Sequence, residues 1–442
     1  MKILLAPDSF KGSMSSIEII EYIEEVARQH FDPVEIVKVP IADGGEGTVD
    51  ALTAAKGGQY KWTEVTGPLG GKVKAKYGII DGRIEAKTPV KAEIKCEANI
   101  SVKAEAKSGL KAETKSEIKS ENKRVTKSEN KSETKTAAKT AAKTEAKTVV
   151  IEMAQASGLP LIAVAERNPL LTTTYGTGEM IKAALDEGIR EFIIGIGGSA
   201  TNDGGIGAAQ ALGIKFSDSK GREVGFGGRE LSRIKHINAD NLDPRIKESN
   251  ITVICDVNNP LTGDRGATAV FGPQKGATKD MLLLLENGMK NYAEVISKYF
   301  GVDVDKIPGS GAAGGLGAAL ICFLGAELKP GIDTITDFVE FEKLLTGVDL
   351  VITGEGRIDG QSVFGKVPVG IARRCKKHGV KVVVITGSMG DKAQDVYEYG
   401  IESIMTTINK DMNLNEAMSR SKELLMDAAD RMFRLIKLGM KL

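Results

Sequence analysis

The alternation of apolar and polar positions begins with a short run, Ile3-Leu4-Leu5-Ala6, which predicts a strand over 2–6. Ser15-x-x-Glu18 forms a capping box, and the Ile19/Ile20/Ile23/Val26 stripe behind it predicts a helix. A strand over 34–39, a glycine-rich loop and a helix over 47–55 follow. Strand 191–196, helix 205–212 and strand 251–255 continue the theme. The C-terminal part predicts helices over 279–299 and 313–325, strand 349–353, helix 368–378, strand 380–385 and a final helix over 414–438. Strands alternating with helices in this way predict parallel sheets covered by helices, an α/β fold. Residues 65–275 are more irregular and hairpin-like, and are expected to form a second domain inserted into the first.

One segment breaks the pattern. From Lys87 to Lys147 a lysine stands at every fourth position, with Asn99 the single exception. A repeat of four drifts about 40° around a helix at each step, so it cannot keep one face toward a core. The intervening Ala, Ser, Thr and Glu predict a solvated or disordered stretch. With 15 Lys and 2 Arg against 10 Glu, residues 83–147 carry net +7, which leaves −6 for the remainder of a chain of net charge +1. A basic run can bind nucleic acid. Here interleaved glutamates and the lack of aromatic residues weigh against it, and no nucleic-acid partner is expected. With 84–147 removed, Gly78–Gly82 abuts Thr148–Ala154 as a hairpin with an Asp81-Gly82 turn, so the repeat is read as an insertion at a hairpin tip.

Composition narrows the class. A length of 442 residues allows two or three domains, and 41% hydrophobic content with only 5% aromatics predicts a core of Val, Ile, Leu and Ala. No stretch approaches the ~18 apolar residues of a membrane span, and the opening run meets Asp8 too soon for a signal peptide. The four cysteines form no CxxC pair and the three histidines stand apart, against a zinc site or disulfide framework. A cytoplasmic location is expected. The 51 glycines cluster in loops, where backbone amides can approach a ligand.

Six of those loops could carry chemistry, and most follow a predicted strand, at the edge where parallel sheets bind ligands. Asp8, Ser9 and Lys11 in the first could engage a hydroxy acid or phosphate, or simply shape a turn. Asp43 precedes Gly44-Gly45 at a helix start, as an anion-site residue or an N-cap. In Gly195–Gly205, Ser199, Thr201 and Asp203 stand among glycines, and Asp203 is the leading candidate for a base toward a substrate hydroxyl. Asp256 with Asn258 suits magnesium, or a turn. Gly314, Gly315 and Gly317 open a helix that could wrap phosphates or pack closely against a neighbour. Glu355, Arg357 and Asp359 precede Gly360-x₄-Gly365-Lys366, a near P-loop in which Val367 replaces the usual Ser or Thr. Acids, amides and cations together point to phosphoryl transfer.

At these residues the chain resembles the bacterial glycerate kinase family. The likeness runs through APDSFKG (6–12), ADGGEGT (42–48), IGGSATNDGG (196–205), CDVNNPLTG (255–263), FGPQKGA (271–277), GAAGGLGAAL (311–320) and GEGRIDGQSVFGK (354–366). The resemblance implies two domains: a flavodoxin-like (Rossmann-like) parallel-sheet domain from 1–64 and 276–442, and an inserted α/β domain over 65–275. The repeat at 84–147 is a departure from the family. The resemblance also implies ATP and Mg2+, with D-glycerate phosphorylated at its 2-hydroxyl. By that inference Asp203, Asp43 and Lys11 are catalytic, and Asp8, Ser9, Ser199, Thr201 and Asp256 bind substrate. Gly314, Gly315, Gly317, Glu355, Arg357 and Lys366 would hold the nucleotide, and Asp256 and Asp359 the metal. The residues themselves leave open transfer to the 3-hydroxyl, a non-catalytic nucleotide- or sugar-acid-binding regulator, and RNA binding through the repeat. Oligomeric state is not readable from them.

Overall fold

The computed structural model describes residues 1–82 and 146–440. The lysine repeat, apart from its last two residues, lies outside the described residues. The strands in chain order are β1 (Lys2–Leu5), β2 (Glu35–Lys38), β3 (Gln59–Thr66), β4 (Lys72–Asp81), β5 (Lys147–Glu152), β6 (Glu191–Gly195) and β7 (Lys215–Ser217). After them come β8 (His236–Asn238), β9 (Asn250–Ile254), β10 (Glu327–Lys329), β11 (Leu350–Ile358), β12 (Lys381–Met389) and β13 (Ile401–Thr406).

Two sheets carry the fold. The first has the order β13-β12-β11-β1-β2 with every pairing parallel. Counting only its own strands, this is the 2-1-3-4-5 order of flavodoxin-like sheets, with its switch point between β1 and β11. Helix Ser16–His30 covers one face beside helix Ser421–Gly439, burying Ile19, Ile20, Ile23 and Val26 with Leu425 and Phe433. The expected capping box is present: Ser15 Oγ accepts from the Glu18 amide, and Glu18 accepts from the Ser15 amide at 2.8 Å. Helices Gly331–Phe338 and Val367–Lys377 cover the other face.

The second sheet has the order β10-β9-β6-β5-β4-β3, parallel from β10 to β5 and antiparallel from β5 to β3. β4 and β5 form the expected hairpin: Asp81 faces Lys147, and the Gly82 amide donates to the Ala146 carbonyl at 2.7 Å. β7 and β8 make a separate antiparallel pair.

The sequence reading places 276–329 with the sheet built from the chain ends. The structure puts them on the other sheet. Helix Lys279–Phe300 buries Met289, Tyr292, Ala293 and Ile296 in the same core as helix Ala312–Leu324, and β10 pairs with β9. The return to the first sheet comes at Pro330, where helix Gly331–Phe338 begins. Helix 47–55, observed as Thr48–Ala55, packs Val49 and Leu52 against Ile80, Val150 and Ile193 of β4, β5 and β6. An apolar stripe shows that a helix buries a face, not which sheet it covers. β11 and β12 also run beyond the predicted 353 and 385, because Glu355 to Ile358 stay paired with Thr386 to Met389 despite their glycines. No helix among the described residues is long and apolar enough to cross a membrane.

Candidate active site

The carboxyl ends of β1, β2, β6, β9 and β11 carry the site. After β1 the chain turns at Pro7, and the Asp8 amide donates to the Gly354 carbonyl at 2.8 Å, which fastens Asp8 at the switch point. The Asp8 carboxylate is 4% exposed and accepts the Ser9 amide at 2.7 Å. Burial, then the nearby charge of Asp43, push it up to about 8 against the pull of Lys11. Lys11 is ion-paired with Asp43. Burial works against its charge, but Asp43, Asp8 and Glu355 outweigh it and raise the ammonium above its ordinary value.

Asp43 is presented by a loop that needs its glycines. A side chain on Gly44 (φ +86°) would collide with Ile254, and one on Gly197 would lie 2.6 Å from the Gly45 Cα. The Gly197 amide donates to the Gly44 carbonyl at 3.1 Å, and the Gly45 amide to Asp43 Oδ1 at 3.1 Å. Backbone therefore packs on backbone, and the Asp43 loop rests directly on the ends of β6 and β9. From the end of β9, Asp256 accepts the Gly331 amide at 2.7 Å through Oδ1. Burial pushes Asp256 up to about 6, the Gly331 amide opposes this, and Asp43 adds to it.

Lys11, Asp43 and Asp256 border a cleft of about 300 Å³ whose walls also include Glu46, Gly197, Gly198, Ser199, Cys255, Gln274 and Ala313, while Asp8 is buried beside it. Its acids and lysine come from the ends of β1, β2 and β9. The 197–199 turn and Gln274 complete it. A second polar cluster stands on β11 and the loop after it, beside the switch point. Glu355 on β11 is buried and accepts from Ser362 Oγ at 2.6 Å, with Lys366 Nζ at 3.6 Å. Burial raises its carboxyl, opposed by Ser362 and Lys366. Asp359 stands 3.9 Å from Lys366 and 3.4 Å from Arg357. Glu355 also acts electrostatically on Asp8 and Lys11, which links the two clusters.

The structure thus gathers Asp8, Lys11, Asp43, Ser199 and Asp256, and beside them Glu355, Lys366, Asp359 and Arg357. Neither Asp8 nor the adjoining Ser9 lines the cleft itself. Other expected site residues lie elsewhere. Asp203 is fully buried away from the cleft. Its carboxylate accepts the Thr174 amide at 2.8 Å, Thr174 Oγ1 at 2.9 Å and the Gly205 amide at 3.1 Å. Burial raises its carboxyl while those donors pull it down. Its donors organise the loop from within, and it does not line the cleft. Thr201 is likewise fully enclosed. Gly314, Gly315 and Gly317 serve close packing: a side chain on Gly314 would strike the Thr201 carbonyl, and one on Gly315 would lie 2.8 Å from the Gly204 Cα. Ala312 and Ala313 are the residues of that turn that line the cleft. Ala313 does so at φ +52°, a left-handed conformation unusual for alanine.

Among the described residues no three His, Cys, Asp or Glu side chains converge as a ready metal cage. Magnesium needs no such cage when phosphates and water supply most of its oxygens, and one or two carboxylates suffice. Asp256 fits that requirement, because its second oxygen has no hydrogen-bond partner among the described residues. Asp359 fits less well, since it shares its oxygens with the Gln361 amide, Arg357 and Lys366. Glu46, Phe271 and Gln274 were not singled out from sequence. Their segments lie within recognisable motifs, but no spacing distinguishes a side chain facing a cleft from one facing solvent.

A doubly wound sheet with acids and cations at its switch point is the frame of an α/β phosphotransferase. A family model described as "Glycerate kinase family" matches residues 3–111 and 109–437. The chain is 42% identical to "Glycerate 2-kinase" of Escherichia coli (strain K12) over 100% of its own length and 99% of that protein's. It is also 42% identical to "Glycerate kinase" of Bacillus subtilis (strain 168), over 99% and 98%. A crystal structure of a Salmonella typhimurium LT2 protein assigned as glycerate kinase 2 superposes with TM-score 0.75 at 38% identity, covering 100% of both chains. The chain belongs to the glycerate kinase family.

Proposed function

We propose that the protein transfers the γ-phosphate of ATP to the 2-hydroxyl of D-glycerate, giving 2-phosphoglycerate and ADP. The observation that carries this reading is the Lys11–Asp43 pair, which lines one cleft together with Asp256 and the 197–199 turn. Relatives named glycerate kinase and glycerate 2-kinase across the full chain support the substrate.

In this reading Asp43, oriented by Lys11 and the Gly45 amide, accepts the hydroxyl proton. Lys11 faces the charge that develops on the attacked phosphate. Nucleotide phosphates lie toward Lys366 and Arg357, which have side-chain exposures of 40% and 64% and are free to reach a ligand. Asp256, with the phosphates, would hold magnesium, which would supply charge neutralisation. The two sheets act as two domains, with the second crossing near Pro330, and enclosing the cleft between them excludes water from the transfer. A cytoplasmic location and a small-molecule substrate, without nucleic acid, accompany this reading. ADP release that requires D-glycerate, ATP and magnesium together is the expected result; ADP release indifferent to D-glycerate would remove the reading.

A further inference from the structure

One buried charge has no part in the chemistry above. Lys275 is 1% exposed, the most enclosed lysine among the described residues. Its ammonium donates to the Thr201 carbonyl at 2.6 Å, and among the described residues it makes no ion pair. The acid acting on it electrostatically is Asp203, whose carboxylate is already committed to Thr174 and Gly205. Burial pushes the ammonium down to about 7, with Asp203 drawing it back up. An interior cation without a partner costs stability, and an apolar side chain of similar volume is usually as good or better. Packing alone therefore gives no reason for a lysine at this position.

Its surroundings supply one. Gln274, the preceding residue, lines the cleft, and so do Gly197, Gly198 and Ser199, just upstream of the Thr201 carbonyl that Lys275 holds. Thr201 Oγ1 and Asn202 Oδ1, in the gripped segment, are buried without hydrogen-bond partners. No acceptor among the described residues takes the Gly198 and Ser199 amides. The 197–199 turn, which abuts the Gly44–Gly45 backbone, thus adds two uncommitted backbone donors to the cleft wall, and the segment just after it is held by the Lys275 cation. An anionic group of the substrate would seat there, while its hydroxyls face the acids.

We propose that Lys275 is a positioning residue for the substrate carboxylate: its buried ammonium fastens the 197–199 turn to the Gln274 wall and places a positive potential behind the amides that receive the anion. The proposal rests on the D-glycerate reading and adds to it the end of the cleft that binds the acid group.

The test compares wild type with Lys275→Met, which removes charge and donor, and Lys275→Gln, which keeps an amide donor for Thr201. Both variants are expected to melt at or above the wild-type temperature. The KM for D-glycerate is expected to rise about tenfold or more while the KM for ATP stays within about twofold. A D-glycerate KM left near wild type overturns the proposal. So does a fall in melting temperature with both KM values rising together, or failure of either variant to fold, because the lysine is then a stability element. Calorimetric binding of D-glycerate to all three proteins separates this from the kinase reading. Wild type that binds without turning over sinks the kinase reading and leaves the Lys275 comparison standing, whereas wild type that does not bind D-glycerate overturns both.

Discussion

Lys11 and Asp43, on the loops after neighbouring strands β1 and β2, form an ion pair at the edge of the cleft, with the lysine more exposed than the acid. Exposed pairs contribute roughly 0–1 kcal/mol to stability, so this one is better explained by what it faces than by what it holds together. Lys11→Ala is expected to lower kcat/KM by at least about 100-fold while shifting unfolding free energy by less than about 1 kcal/mol. Steady-state kinetics and urea unfolding of one preparation check both. Retained activity would detach Lys11 from the chemistry.

Asp203 leads to the opposite expectation. Asn in its place would set an amide group against donors at Thr174 and Gly205, leaving buried polar groups unmatched at about 1–3 kcal/mol. Asp203→Asn should lower the melting temperature clearly. A variant with wild-type stability and no turnover would restore the catalytic role that its position disfavours.

Asp8 makes a prediction about pH. Its folded value of about 8 lies above its ordinary 3.8. Between the two, the folded chain retains a proton that the unfolded chain has released, so this group makes stability fall as pH rises from about 4 to 8 and then level off. Asp8→Asn removes that slope. Urea unfolding at pH 5 and pH 8 should show the variant gaining on wild type at the higher pH. A constant difference would mean that Asp8 is not held protonated.

The hairpin ends predict the outcome of a deletion. Asp81 faces Lys147, and Gly82 bonds to Ala146, so a two-residue Asn-Gly turn in place of 83–145 closes the same ladder. Melting temperature and kcat/KM should both stay close to those of the full chain. Collapse of either would give the lysine repeat a role in the fold or the site.

How much of this was legible in the sequence varies from residue to residue. The β1 strand, the Ser15 capping box and the β4–β5 hairpin follow from local pattern, because their causes lie within a few residues of one another. The acids at Asp8, Asp43 and Asp256 follow from the rule that parallel sheets bind at their carboxyl ends. Asp203 obeys the same rule and misleads, because Thr174, 29 residues upstream, supplies two of its donors. Gly314 and Gly315 carry the same ambiguity. A glycine that admits a phosphate and a glycine that admits a neighbouring backbone look alike in sequence, and only the proximity of Thr201 and Gly204 tells them apart. Lys275 had no sequence signal of burial, since a lysine beside Gln and Gly reads as surface.

The most direct test of the account is a coupled assay with ATP, magnesium and D-glycerate in which the product passes to enolase with no mutase present. Prompt formation of phosphoenolpyruvate is predicted, because only the 2-phosphate is an enolase substrate. ADP release without phosphoenolpyruvate would move the transfer to the 3-hydroxyl, and no ADP release would contradict the assignment of this cleft to D-glycerate phosphorylation.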